Sequence, residues 1–85
     1  HPLAYSYRAM CHQALRDGAS AAQDWTRAIA LVPDGDIFYE GRAKTYYFLG
    51  QYDRAWADVK ACQKLGRTVL PRFLEALQKA SGRKE

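Results

Sequence analysis

The chain has 85 residues and a formal net charge of +4, which is enough sequence for one small domain. Hydrophobic residues make up 48% and charged residues 26% of the chain, a composition that argues against intrinsic disorder and indicates a globular fold. No apolar run approaches the ~18 residues that a membrane span requires, so we expect a soluble protein with no membrane partner.

Apolar residues recur at helical spacing along the whole chain, and this periodicity predicts five helices. Proline suits the first turn of a helix, so the first one is expected to begin at Pro2 or Leu3. Residues 81–85 follow the last periodic segment and are expected to fray. The predicted helices run from about Pro2 to Leu15, Ser20 to Val32, Asp36 to Leu49, Tyr52 to Lys64 and Leu70 to Ala80.

Turn and capping residues separate these helices. Ser20 and Gln23 have the spacing of a capping box, and Asp36 is placed to cap the third helix. Gly50 is expected in a left-handed conformation between the third and fourth helices. Because these connections are short, successive helices are predicted to form antiparallel hairpins.

The chain also repeats itself. A shift of 34 residues aligns seven identical pairs, against roughly two expected from composition, and 34 residues is the length of one helical-hairpin repeat. The pairs are Tyr5 with Tyr39, Arg8 with Arg42, Ala9 with Ala43, Leu15 with Leu49, Ala21 with Ala55, Asp24 with Asp58 and Leu31 with Leu65.

The repeated positions resemble the tetratricopeptide repeat, whose pattern is W-x2-L-G-x2-Y, then A-x3-F, then a small residue and a proline. The leucine position is Arg in both copies, and the second copy lacks the proline. The closing segment resembles the last repeat and cap of bacterial members of this family. The matching positions are Tyr5, Arg8, Ala9, His12, Ala21, Trp25, Ala28 and Pro33, then Tyr39, Arg42, Ala43, Tyr46, Ala55, Val59, Cys62 and Arg67.

This resemblance implies an all-α fold of the α–α superhelix type, a right-handed stack of helical hairpins. Residues 1–85 would form a single domain, with repeats at 2–34 and 36–68 and a capping helix at 70–81. Two repeats with a cap are near the minimum for stability, so an excised piece of a longer array is the favoured origin of the chain.

Four side chains recur at fixed positions of the two copies and invite a structural interpretation. Arg8 and Arg42 share one position, and Asp24 and Asp58 share another. A position that is copied with its repeat does the same structural job in each copy, so we expect each Arg to pair with the Asp of its own hairpin.

The two cysteines, Cys11 and Cys62, both fall on the inward spacing of their helices. Cys62 takes a small-residue position of the repeat and is predicted to be a packed thiol. They provide no disulfide framework and do not identify the compartment, although the cytoplasm is favoured. Of the two tryptophans, Trp25 is expected to be more buried than Trp56, which would either cover the fifth helix or lie exposed.

No set of residues indicates catalysis, a cofactor or a metal, and we expect a protein that is not an enzyme. Cys11 and His12 are adjacent in a helix and point about 100° apart, so they do not form a dyad. His12 occupies an aromatic position of the repeat and is expected to pack there. The segment Asp34-Gly35-Asp36 lacks the remaining oxygen ligands of a calcium loop.

The resemblance implies that the first helix of each hairpin lines a concave face that takes a peptide or partner protein. An apolar peptide or helix would contact Tyr7, Met10 and Tyr47, and Lys44 and Glu40 would fix its orientation. Phe48 would lie at the margin. The predicted partner-binding residues are Leu3, Ser6, Tyr7, Met10, Gln13, Ile37, Glu40, Gly41, Lys44 and Tyr47.

Some family members grip acidic chaperone tails with a clamp of Lys, Asn and Arg on these inner positions. Those positions are Ser6, Met10, Gly41, Pro71 and Glu75 in this chain, so this specificity is not expected.

Two alternatives remain open. The same face or the open end of the stack could mediate homo-oligomerisation. The C-terminal part could instead contact nucleic acid, since the charge is −1 through Val59 and +5 from Lys60 onward. A capping helix with a polar outer face is the favoured explanation of the basic cluster, because no aromatic residues interleave it, and nucleic acid is the less favoured partner.

Overall fold

The computed structural model describes residues 1–84. These residues contain five α-helices and no strand, which confirms the predicted all-α fold with five helices. The helices are α1 (Pro2–Ala14), α2 (Gly18–Leu31), α3 (Asp36–Phe48), α4 (Tyr52–Lys64) and α5 (Pro71–Ser81).

Each helix packs on the next one in the chain, so α1 with α2 and α3 with α4 form two hairpins. The second hairpin stacks on the first through α2 and α3, and α5 packs on α4. The second hairpin is therefore covered on two sides, whereas α1 leaves the first hairpin open on its outer side.

Both predicted Arg–Asp pairs are present, and they have the same geometry. The guanidinium of Arg8 donates two hydrogen bonds of 2.8 and 2.9 Å to Asp24, and that of Arg42 donates two of the same lengths to Asp58. Two-pronged bonds of this kind fix the angle between the planar groups. The pairs therefore hold the two helices of each hairpin in the same register.

The core consists of two clusters, one for each hairpin. In the first hairpin Trp25 packs with three alanines and with Phe38 from the second hairpin. In the second hairpin Trp56 and Val59 pack against Val69 and Leu77 of the closing segment. Alanines Ala9, Ala21, Ala43 and Ala55 have no exposed surface, which lets the helices of each hairpin approach closely.

The predicted helix ends agree with the structure within two residues, but two caps differ. Asp17, not Ser20, caps α2: its Oδ1 accepts a 3.2 Å hydrogen bond from the amide of Ser20. The predicted capping box between Ser20 and Gln23 is therefore wrong. Ser20 lies inside the first turn of α2, and Asp17 already accepts the hydrogen bond of its amide. Asp36 is the first residue of α3 rather than its cap, which is Gly35.

The turn within each hairpin contains one residue with a left-handed backbone. As predicted, Gly50 adopts this conformation, with φ of 75°. The equivalent residue of the first hairpin is Arg16, whose φ is 61°. Side chains disfavour this region, so the first turn is the more strained of the two.

The structure corrects the predicted burial of one cysteine and one tryptophan. Cys11 is exposed because its side of α1 faces outward from the stack. Trp56 covers the fifth helix, which was one of its two predicted positions, and Ser81 of α5 accepts a 3.0 Å hydrogen bond from its Nε1. It is 3% exposed against 5% for Trp25, so it is not the less buried tryptophan. Of the residues expected to fray, Ser81 belongs to α5 and Glu85 lies outside the described residues.

Candidate functional site

The first helices of the two hairpins, α1 and α3, flank a groove of about 1060 Å³. Oγ1 of Thr45 lies 3.1 Å from Oε1 of Gln13, so the later halves of both helices meet there. Each short connection reverses the direction of the chain, so α1 and α3, which both pack on α2, run in the same direction. One end of the groove lies at Leu3 and Ile37, and the other lies at Arg16 and Leu49.

Nine of the ten residues predicted to bind a partner line this groove. It is also lined by Ala14, Arg16, Gly18, Trp25, Phe38, Thr45, Phe48 and Leu49. The predicted residues that line it are Leu3, Ser6, Tyr7, Met10, Gln13, Ile37, Glu40, Gly41 and Lys44.

The structure places Tyr47 outside the groove. Its ring centroid lies 5.7 Å from that of Phe73 and 6.1 Å from that of Tyr52, so it packs among α3, α4 and α5. Tyr47 precedes the groove residue Phe48 by one position, and neighbouring helix residues point about 100° apart. That rotation places Tyr47 on the side of α3 that faces α5.

Trp25 forms the floor of the groove, a role that the sequence did not reveal. Its ring reaches from α2 to Gly41, where an added Cβ would lie 2.4 Å from ring carbon Cζ2. The indole nitrogen donates a 3.1 Å hydrogen bond to the hydroxyl of Thr45. A glycine inside a helix, where the other copy has Tyr7, was the one sequence signal for this close approach.

The walls of the groove are apolar and exposed. Six large side chains line it, with exposed fractions from 37% for Leu49 to 72% for Phe48. The other four are Leu3, Tyr7, Met10 and Ile37. Scattered exposed apolar residues are ordinary on protein surfaces, but several that share one concavity indicate a contact surface.

Two predicted groove residues are engaged within the protein. Glu40 is buried, and its Oε1 accepts a 3.3 Å hydrogen bond from Nη2 of Arg67; Nζ of Lys44 lies 3.9 Å from the same oxygen. The hydrogen bond to Glu40 raises the pKa of Arg67. Ser6 is buried and donates its hydroxyl proton to the carbonyl of Leu3.

His12 and Cys62 are engaged in contacts within the protein. The Nε2 atom of His12 lies 3.6 Å from Asp24, so this half-buried side chain sits beside an ion pair instead of packing only among apolar groups. Burial, reinforced by the charge of Glu40, raises the pKa of the Cys62 thiol to about 11, which keeps it protonated near neutral pH. Within residues 1–84 no cluster of three metal-ligating side chains is found.

The C-terminal basic cluster is partly neutralised within the chain. Arg67 is bonded to Glu40, and Nη1 of Arg83 lies 2.6 Å from Oδ1 of Asp53. In the part of the chain that the structure describes, no helix has both the length and the hydrophobicity of a membrane span.

Comparisons of the chain with protein families, with curated proteins and with solved structures found no match.

Proposed function

We propose that the chain is an interaction module of the tetratricopeptide type that binds a peptide or partner-protein segment in the groove between α1 and α3. The observation that carries this proposal is the concentration of six large exposed apolar side chains in one groove. The 34-residue repeat and the matching Arg–Asp pairs of the two hairpins support the family assignment.

The shape and rigidity of the groove suit this role. Its volume of about 1060 Å³ accommodates several side chains of a partner. Its floor is held in place, because Trp25 is buried and hydrogen-bonded to Thr45. A preorganised apolar surface binds more tightly than one that must be ordered on contact.

A matched pair of double variants tests the groove. Tyr7→Ser with Phe48→Ser removes two exposed apolar side chains from it, and Leu31→Ser with Leu70→Ser removes two of comparable exposure outside it. Both variants should retain wild-type helicity by circular dichroism. Peptides selected from a random 16-residue display library on the wild-type protein should bind the first variant at least tenfold more weakly and the second unchanged.

Two outcomes would contradict the proposal. Equal affinity of the selected peptides for both double variants would place binding elsewhere on the surface. A library that yields no binder to the wild-type protein would reject a peptide site of useful affinity.

A second candidate function, self-association, is favoured by a separate observation. Phe38 and Thr45 on α3 are buried against the first hairpin, whereas the equivalent residues on α1, Ala4 and Cys11, are exposed. Leu15 is 78% exposed next to them. The outer side of α1 therefore has the position of a helix-packing face without a covering helix.

Sedimentation equilibrium at ~10 and ~500 μM tests self-association. A mass that rises with concentration, and falls to that of the monomer in Leu15→Lys, would support it. A monomeric mass at both concentrations would reject it.

A further inference from the structure

Building on the proposed function, we propose that the segment bound in the groove carries an acidic side chain flanked by apolar ones, and that Lys44 binds this carboxylate. The groove is lined by three charged residues, namely Arg16, Glu40 and Lys44. Their contacts determine which charge a partner meets.

Glu40 is poorly placed to act as the acceptor for a cationic partner. Its side chain is buried, and one of its oxygens already accepts a hydrogen bond from Arg67 at 3.3 Å. A partner cation would have to compete with Arg67 and Lys44, which already compensate this charge. The ion pair with Arg67 thus neutralises the single negative charge of the groove.

Lys44 remains available to a partner. Its Nζ lies 3.9 Å from Glu40, farther than Arg67 does, and its side chain keeps 35% of its surface exposed. Lys44 lies just before the last turn of α3. The negative end of the helix dipole acts mainly on that last turn, so it does not cancel the charge of Lys44.

Arg16 adds a second positive charge at the same end of the groove. It is exposed, and within residues 1–84 no carboxylate forms an ion pair with it. With Glu40 satisfied by Arg67, the surface offered to a partner is apolar and positive. An acidic partner segment complements it, and a basic one is repelled.

The spacing of groove residues along α3 places the carboxylate between apolar contacts. Ile37 precedes Lys44 by seven residues and Phe48 follows it by four, which corresponds to ~10 Å and ~6 Å along the helix axis. The expected acid therefore has apolar neighbours on both sides, about three and two residues away in an extended segment. A free C-terminal carboxylate is not required.

Peptide selection combined with a double-mutant cycle tests this inference. Random 12-residue peptides are selected on the wild-type protein, on Lys44→Gln and on Lys60→Gln, which removes an exposed lysine outside the groove. The wild type and Lys60→Gln should enrich Asp or Glu between apolar residues. Lys44→Gln should lose that enrichment while still selecting apolar residues.

The cycle then measures the contact itself. Replacing the selected acid by its amide in the strongest peptide should weaken binding to the wild type about fivefold, the upper end for a solvent-accessible ion pair, and leave binding to Lys44→Gln unchanged. Added salt should reduce the wild-type difference.

The outcomes separate this inference from the proposed function. Apolar peptides without an acidic preference, or equal losses on the wild type and on Lys44→Gln, would overturn the role of Lys44 and leave the groove as a peptide site. A preference for basic peptides would make Glu40 the determinant and also overturn it. The absence of any selected peptide would reject the site and this inference together.

Discussion

The two hairpins carry the same Arg–Asp pair in different surroundings. Arg42 keeps 18% of its side chain exposed, and its Nη1 donates a further 3.1 Å hydrogen bond to Thr26 of the neighbouring hairpin. Arg8 keeps 53% exposed, because no helix covers the outer side of α1. The Arg42–Asp58 pair thus lies inside the stack, and the equivalent Arg8–Asp24 pair lies at its end.

From this difference we expect that position in the stack, more than residue identity, sets how much each residue contributes to stability. Equivalent residues of the two copies should therefore respond differently to the same change. Paired measurements on the two hairpins test this dependence, from the largest expected effect to the smallest.

The two thiols should differ most. With its pKa raised to about 11, Cys62 is ionised to roughly one part in a thousand at pH 8, and it is also buried. Exposed Cys11 should react with a disulfide reagent at least a hundred times faster in the folded protein. Reaction is followed by absorbance, with Cys11→Ser as the control and guanidinium to expose both thiols. Similar rates for both thiols in the folded state would contradict the burial of Cys62.

The two arginines should differ in stability. Asp58 is 3% exposed and has no ion-pair partner other than Arg42 among the described residues, so Arg42→Ala should cost about 3 kcal/mol. Arg8→Ala should cost less, because Asp24 keeps Arg27 at 3.2 Å and His12 at 3.6 Å. Urea unfolding measures both, and equal losses would show that the stack does not differentiate the pairs.

One repeat position in the groove should also respond differently in its two copies. Gly41→Ala forces a methyl group against the anchored ring of Trp25 and should cost about 1 to 2 kcal/mol, although alanine favours a helix by about 1 kcal/mol. Tyr7→Ala at the exposed equivalent should change stability by less than about 0.5 kcal/mol. Thermal unfolding measures both variants. A stabilised Gly41→Ala protein would mean that the ring moves aside freely.

The two left-handed turn residues should respond in opposite directions. Arg16→Gly should stabilise the protein by about 0.5 kcal/mol by relieving its left-handed backbone, and Gly50→Ala should destabilise it by about 1 kcal/mol. Chemical unfolding gives both values. A destabilised Arg16→Gly protein would show that contacts of the Arg16 side chain contribute more to stability than its left-handed backbone costs.

The smallest difference is expected in acid. The hydrogen bond from Arg8 lowers the pKa of Asp24, so this carboxylate stabilises the fold above its ordinary pKa of about 4. That contribution is lost as pH falls through the lowered pKa. Asp24→Asn should flatten the stability profile below about pH 4. If stability depended on pH in the same way in Asp24→Asn and in the wild type, Asp24 would not contribute to the loss of stability in acid.

Sequence reasoning predicted the fold well because its signals are local. Helical spacing located the five helices, and the 34-residue shift paired Arg8 with Asp24 and Arg42 with Asp58. It also predicted nine residues that line the groove; that they bind a partner remains a prediction. It misplaced Tyr47 and missed the role of Trp25, because helix rotation and the reach of a side chain from a neighbouring helix are not local properties.

The sequence by itself determined that a helical hairpin occurs twice and that each copy carries its own Arg–Asp pair, because hydrophobic period and repeat register are properties of the chain alone. Only the tertiary structure decided that Cys62 is buried and Cys11 exposed, and that Trp25 forms the floor of a groove. Burial depends on which neighbour covers a surface, and stacking gives the second hairpin two neighbours and the first hairpin one.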